Sequence, residues 1–501
     1  MQHLPSTPAA ATRPLIKKFL ALPALSLATA LILPTIGGAQ VTEIIDATGD
    51  GAGNTLSQPR HVAADDAGNI YVTGRLSNNV LRITPGGTIK VLMDSTGDGA
   101  GNTLAAPLGV DVDTLGNVYV VGQASNNAFC ITPGGMVTEI IDSTGDGLNI
   151  LDSPLDIAVD AAGNAYVCGW KSDNAFRITP AGVITQIIDA TGAGTGTILS
   201  AANGIDADAA GNAYVMGAAS DNAFKVTPSG VITQIIDASG DGAGNGLNLT
   251  NDITVGASGN VYVTGLISNN AFKITPGGTI TQILDSTGDG LGSTIGSAAY
   301  IAVDGIGTVY VTGSGSDNAF RITPSGVITA VISATGDGIG NPLTVPAGVT
   351  VDGPGNAYVV GFMSDNVFKI CRSQASSEVV RLGSPANPSA LLPGQTGGPV
   401  LGTNWAPVID HTTFHPGATL DILVVNTDGA QINTSLGNTG TLLVNPSAGA
   451  MVFSAAPSTP LAVSIPFQCD LLGLEVTSQG AAVGGGLVRL TNALDLVLGN
   501  L

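Results

Sequence analysis

The chain runs to 501 residues, 44% of them apolar, which is enough for two or three domain cores and excludes disorder as the general state. Charged residues make up only 11%, glycine numbers 70 and aromatics reach 4%, a profile of short strands and tight turns that excludes a mainly helical protein. The balance of 16 basic against 37 acidic residues excludes nucleic acid and anionic lipid as partners, because both would be repelled.

Taken in chain order, residues 1–39 read as a leader. Arg13, Lys17 and Lys18 precede an apolar run from Phe19 to Leu33, and Gly37-Gly38-Ala39 supplies the small residues of a cleavage site. The run is short and broken by Pro23 and Pro34, so it predicts an exported protein, secreted, periplasmic or on the cell surface, with no transmembrane segment in the mature chain. The leader takes three of the 16 basic residues and none of the 37 acidic ones, leaving a mature charge of −24 that would attract cations.

From residue 40 the chain repeats. Aligned tyrosines stand at Tyr71, Tyr119, Tyr166, Tyr214, Tyr262, Tyr310 and Tyr358, spaced by 48 residues with one interval of 47. Each unit reads as four strands. In the second these are Gly109–Asp113, Val118–Gly122, Ala128–Thr132 and Met136–Asp142, the last opened by the turn Pro133-Gly134-Gly135. Repeats of this length with four strands predict an all-β, seven-bladed β-propeller over residues 40–372. Val41–Asp46 is a fourth-type strand with no blade before it, and the seventh unit changes to CRSQASS before forming its own. The first strand therefore completes the seventh blade and closes the ring.

The phrases VDAAGNAYVCG, Val159 to Gly169, and VDGPGNAYVVG, Val351 to Gly361, resemble the repeat of the NHL and related bacterial seven-bladed propellers. The resemblance covers residues 41 to about 372. It implies the fold; for function it implies a range, from scaffolds and binding modules to lyases and lactonases.

Between blades the chain returns to a phrase such as DSTGDGAGN, Asp94 to Asn102. Calcium loops take oxygen ligands from positions 1, 3, 5, 7 and 9 and place glycine at 6. That spacing is met by Asp46, Thr48, Asp50 and Asn54; by Asp94, Thr96, Asp98 and Asn102; and by Asp237, Ser239, Asp241 and Asn245. A weaker copy has Asp285, Thr287 and Asp289. Position 12 holds no carboxylate in these loops, so calcium, the one cofactor in view, would bind weakly. The competing reading makes each aspartate the acceptor of a local turn. A second recurrent turn, S(D/N)N, carries Asn79, Asn127, Asn174, Asn222, Asn270, Asn318 and Asn366, expected to adopt positive φ in a tight hairpin.

A three-histidine zinc site is excluded in the propeller, where His61 is the one histidine and Glu43 and Glu139 are the two glutamates. A lactonase-like site of aspartate and asparagine stays open. A specific site is expected where the repeats differ, at the turns leading into each first strand and leaving each second strand. Polar and bulky departures gather there at Arg60, His61, Arg75, Asp156, Trp170, Lys171, Asp252 and Tyr300, which predicts a ligand site at the mouth of the central channel. Trp170 would offer a flat platform, the cations would hold anionic groups, and the carboxylates hydroxyls or a cation. Drift at tolerant loop positions is the competing explanation.

Residues 373–404 are rich in proline, glycine and serine and read as a linker, and 405–501 as a small β-sandwich-like domain with strands such as Thr419–Val425 and Leu487–Thr491. His411 and His415 would pair on a metal only if helical, and this stretch reads as extended. Four cysteines, Cys130, Cys168, Cys371 and Cys469, fit no zinc motif and leave buried thiols and disulfides both open. The expected function is a secreted, non-catalytic binding or scaffold propeller presenting an acidic face to an extracellular protein or glycan. The alternative is a lactonase- or lyase-like enzyme at the channel mouth.

Overall fold

A computed structural model describes residues 41–194 and 196–372, and residues 376–500 with short gaps; the expected leader, 1–39, lies outside the described residues. The chain divides after Arg372 into two units, which are taken separately.

The first unit contains seven four-stranded antiparallel sheets. Six are made of consecutive strands. In the third, Pro154–Val159 lies innermost, followed by Ala165–Gly169, Asn174–Ile178 and Ile184–Ile188. The seventh sheet takes its outer strand, Val41–Ile45, from the start of the unit, paired antiparallel to Asn366–Ile370. The expected closure is therefore present, and it leaves the ring without a free end.

Burial follows strand position. All five residues of each second strand are buried, because sheet faces on both sides cover it, while fourth strands such as Val137–Ile141 and Ile184–Ile188 are partly exposed over all but their last residue. Between sheets the packing is dominated by one fully buried phenylalanine per blade: Phe129, Phe176, Phe224, Phe272, Phe320 and Phe368, with Leu81 at that place in the first blade. Truncating such a residue to alanine costs about 3–5 kcal/mol.

The repeated DxxGNxY phrase is explained by one carboxylate. Asp160 Oδ1 accepts the Asn164 amide at 2.9 Å, and its Oδ2 accepts Asn164 Nδ2 at 2.8 Å and the Tyr166 hydroxyl at 2.9 Å. Asp65, Asp113, Asp208 and Asp352 hold their own asparagines and tyrosines in the same way. Burial and the neighbouring carboxylate push the Tyr166 hydroxyl well above its usual pKa, so it stays a donor.

The S(D/N)N turn corrects the expectation placed on it. The residue at positive φ is the one before the recurrent asparagine: Asn78 at 51° and Asp173 at 50°, for example. Its side chain reaches the next blade, accepting the backbone N–H just ahead of that blade's first strand at 2.5–2.8 Å in all seven junctions. Asn79 and its six counterparts instead lie buried and donate Nδ2 to a carbonyl 24 residues earlier, tying the blade-joining loop to the turn.

Cys130 and Cys168 are free thiols, whereas Cys371 and Cys469 are disulfide-bonded.

The second unit is built on a five-stranded antiparallel sheet in the spatial order Ser377–Arg381, Leu487–Val497, Glu475–Gly484, Leu420–Asn426, Met451–Ala455. Its edge strand Ser377–Arg381 lies inside the stretch expected to be linker, so the folded unit begins earlier than composition indicated. Leu442, Leu443 and Val444, from a two-stranded ribbon, pack on Ile422, Val424, Ala481 and Leu490 of that sheet, giving two layers. His411 spends both ring nitrogens locally, Nε2 with Asp421 Oδ1 at 2.7 Å and Nδ1 with the His415 carbonyl at 3.1 Å. It is a structural residue and does not join His415 on a metal.

Candidate functional site at the channel mouth

The blade-joining loops and the second-to-third-strand turns share one end of each blade. Arg75 and Leu76 amides donate to the carbonyls of Gln58 and Ser57, and the same pair of bonds recurs at Trp170 and Lys171 with Ser153 and Asp152. The first strands of neighbouring blades pack side by side around the ring.

They leave a cavity of about 320 Å³ lined by seven of the eight predicted residues: Arg60, His61, Arg75, Asp156, Trp170, Asp252 and Tyr300. Lys171 is not part of the lining. It projects outward beside Asp152, 4.0 Å away and largely solvated. Gln123, Asn203, Asn251 and Phe362 join the wall without having been singled out. All four stand at the same repeat registers as the predicted residues, and that register was the signal that could have found them.

The third position of each first strand sets the wall. Blades one to seven carry His61, Gly109, Asp156, Gly204, Asp252, Tyr300 and Gly348 there. At Gly109 a Cβ would press on the Asp156 backbone and carboxylate, so glycine permits the close approach of neighbouring strands.

Asp156 and Asp252 are buried and committed to backbone. Asp156 accepts the amides of Ile157 at 2.9 Å and of Ile205, in the next blade, at 3.1 Å. Asp252 accepts those of Ile253 at 3.0 Å and Ile301 at 2.8 Å. Two positions further along the strand, Asp111 accepts Val112 and Val159, and Asp206 accepts Ala207 and Val255. The four carboxylates thus join blades two through six in series.

Burial raises the pKa of all four above the usual carboxylate range. Asp111 is pushed up to about 8, by burial and then by the Asp206 charge, and Asp206 to about 6 by burial. Asp252 is raised by burial and then by Asp156. Asp156 is raised by burial against the opposing pull of His61.

The opposite wall is aromatic and cationic. The Arg60 guanidinium sits 5.3 Å from the Tyr300 ring centre and 5.6 Å from that of Phe362, held by both π faces. His61 meets Tyr300 edge-on at 5.8 Å, and its Nε2 lies 3.9 Å from Asp156 Oδ1, beyond hydrogen-bond reach. Arg75 Nη1 donates to Gln58 Oε1 at 3.3 Å. Asn203 donates to the Thr250 and Asn251 carbonyls and Asn251 to that of Ala299, forming a chain along the rim. Asn203 Oδ1 and His61 Nδ1 are buried with no partner among the described residues, so hydrogen-bonding capacity is left over in this wall.

The calcium spacing resolves differently. Asp94 Oδ1 accepts the Thr96 amide and hydroxyl at 2.9 and 2.6 Å. Asp98 Oδ1 accepts the amides of Ala100 and Asn102, and its Oδ2 accepts Asn102 Nδ2 at 2.7 Å. Asp46, Thr48, Asp50 and Asn54 repeat this pattern, as do Asp237, Ser239, Asp241 and Asn245. The two aspartates of each loop serve two separate turns, each accepting from donors of its own turn. These oxygens are shared among local donors, the arrangement that the turn reading expects. Gly97 completes the turn at φ 69°, where an added Cβ would strike the Asn102 carbonyl.

Among known proteins, the β-propeller repeat family matches residues 48–79. The propeller resembles virginiamycin B lyase from Staphylococcus aureus at 17% identity and a TM-score of 0.50, covering 66% of this chain and 98% of that one. A streptogramin B lyase is similar at 14% identity and a TM-score of 0.51, over 66% and 97% of the two chains. A catalytically inactive form of the S. aureus lyase with quinupristin matches at 19% identity and a TM-score of 0.51, over 66% and 98%. No curated protein sequence matches the chain. Identities this low speak to fold alone, and repeat, topology and neighbours agree on it: residues 41–372 fold as a seven-bladed β-propeller.

Proposed function

We propose that this protein is a non-catalytic binding propeller whose ligand seats at the channel mouth. The observation that carries the reading is the meeting, in one cavity of small-molecule size, of seven positions at which the repeats depart from one another. Repeat register brings these positions together; what it does not require is that they carry two arginines, a half-exposed tryptophan and a tyrosine. Binding fits better than turnover because Asp156 and Asp252 spend their oxygens on backbone amides, and His61 lies outside hydrogen-bond reach of Asp156. The acidic rim and the disulfide-bonded cysteines accord with work outside the cytoplasm on an extracellular protein or glycan.

One observation favours a lactonase- or lyase-like enzyme instead: His61 faces Asp156 with its Nδ1 unpartnered, as a base awaiting a proton would.

Ligand-observed NMR with a fragment collection tests the two. Fragments that bind the full chain and are lost in Trp170→Ala support the binding reading; fragments indifferent to Trp170→Ala and Tyr300→Ala overturn it. Conversion of a bound ester or lactone, abolished in His61→Ala, would put the enzyme in its place.

A further inference from the structure

The channel mouth gathers two cations of a chain that is otherwise strongly acidic. The chain has 37 acidic against 16 basic residues, yet two guanidinium groups, Arg60 and Arg75, line this one cavity. Among the described residues no carboxylate lies within 4.0 Å of either. Arginines on an acidic protein ordinarily find carboxylates; these are held by other means, Arg60 between two aromatic rings and Arg75 by the Gln58 side-chain carbonyl. Both keep donors for a planar oxyanion, to which a guanidinium fork is matched in shape.

The carboxylates of the cavity are not spent on these cations: Asp156 and Asp252 turn their oxygens to backbone amides of their own and the next blade. Beside the cations stands Trp170, 41% exposed although indole is among the most costly side chains to leave in water. A tryptophan presented in this way at a cavity wall is a stacking surface.

Resting on the reading of the mouth as a ligand site, we propose that it recognises an oxyanion, carboxylate or phosphate, carried on a flat aromatic ring. The anion pairs with Arg60 and Arg75, and the ring lies against Trp170. Asn203 Oδ1, buried and without a donor, accepts a hydroxyl or amide N–H from the ligand's far side.

Trp170 reports on the site directly, since the only other tryptophan, Trp405, is buried in the second unit. The full chain is titrated with phenyl phosphate, benzoate, phenol, benzylammonium and inorganic phosphate, following tryptophan emission and, in parallel, calorimetry. The proposal expects phenyl phosphate or benzoate to bind at least about tenfold more tightly than phenol, benzylammonium or inorganic phosphate, and to lose at least about tenfold in Arg60→Met and Arg75→Met. Because Arg60 packs on two rings, Arg75→Gln, whose site is more exposed to change, gives a second variant if Arg60→Met fails to fold. Binding of phenol or benzylammonium as tight as that of the anions overturns the anion specificity and leaves the ligand site standing. Inorganic phosphate binding as tightly as phenyl phosphate overturns the role of the ring. Silence from all five up to about 10 mM overturns this proposal, while the ligand site stands or falls with the fragment screen.

Discussion

The side chain of Asp365, in the seventh blade, accepts a hydrogen bond from the backbone amide of Gln58, at the start of the first, at 2.6 Å across 307 positions of sequence. Both residues sit at positive φ, and the pair closes a ring of seven such bonds. Asp365→Ala strips the acceptor from a partly buried N–H and should cost about 1–3 kcal/mol in denaturant unfolding. Asp365→Asn should be close to neutral, because asparagine fills the same place at Asn78, Asn126 and Asn269. An alanine variant as stable as the parent would mean that this junction contributes nothing to closure.

Tyrosine hydroxyls divide the blades in a second test. Tyr166 donates to Asp160 at 2.9 Å, whereas Tyr310 has Asp304 as a charged neighbour but no hydroxyl bond to it. Tyr166→Phe should destabilise by about 1–2 kcal/mol and Tyr310→Phe by less than about 0.5 kcal/mol. Equal losses would show that the phenol rings, and not their hydroxyls, set the repeat.

The channel aspartates predict how stability varies with pH. Asp111 is raised to about 8 and Asp206 to about 6, from an unfolded value of about 3.9. Where the folded pKa is the higher, the unfolded chain holds fewer protons across the interval. Stability is therefore greatest near the unfolded pKa, falls as pH rises, and levels off above about 8. The midpoint of thermal unfolding should be higher at pH 5 than at pH 8.5, and Asp111→Asn should flatten that slope. A midpoint rising from pH 5 to 8.5 contradicts the account.

The blade-joining loops are closed by their own hydrogen bonds, so thermal unfolding in millimolar calcium and in chelator should give the same midpoint to within about one degree. A calcium-dependent rise following RT ln(1 + [Ca]/Kd) would show that the loops rearrange to hold the ion.

The architecture was legible because the ring repeats its turns. Glycine, proline and aspartate recur at fixed offsets, and the orphan strand, read as Val41–Asp46 and observed as Val41–Ile45, implies the closure by itself. Roles that depend on distant partners were not legible. Positive φ belongs to Asn78 rather than Asn79, and the difference lies in what each reaches: a backbone amide in the next blade, 28 residues on, or a carbonyl 24 residues back. Local turn chemistry favours asparagine at either place. Asp111 and Asp206 passed as ordinary members of alternating strands, because only the approach of the next blade turns them into acceptors. Ser377–Arg381 was hidden by its exposed side chains, which leave an edge strand without an apolar pattern. At the mouth, repeat register located seven of eight residues, and Lys171 departed because its neighbour Trp170 takes the inward place.

The central claim is that the channel mouth is the ligand site, and the most direct measurement is a crystal structure of the full chain soaked in phenyl phosphate. The account predicts density for the ring against Trp170, with the phosphate between Arg60 and Arg75. Density confined to the acidic loops or the opposite end of the channel, or a vacant mouth at a concentration that saturates tryptophan emission, would contradict it.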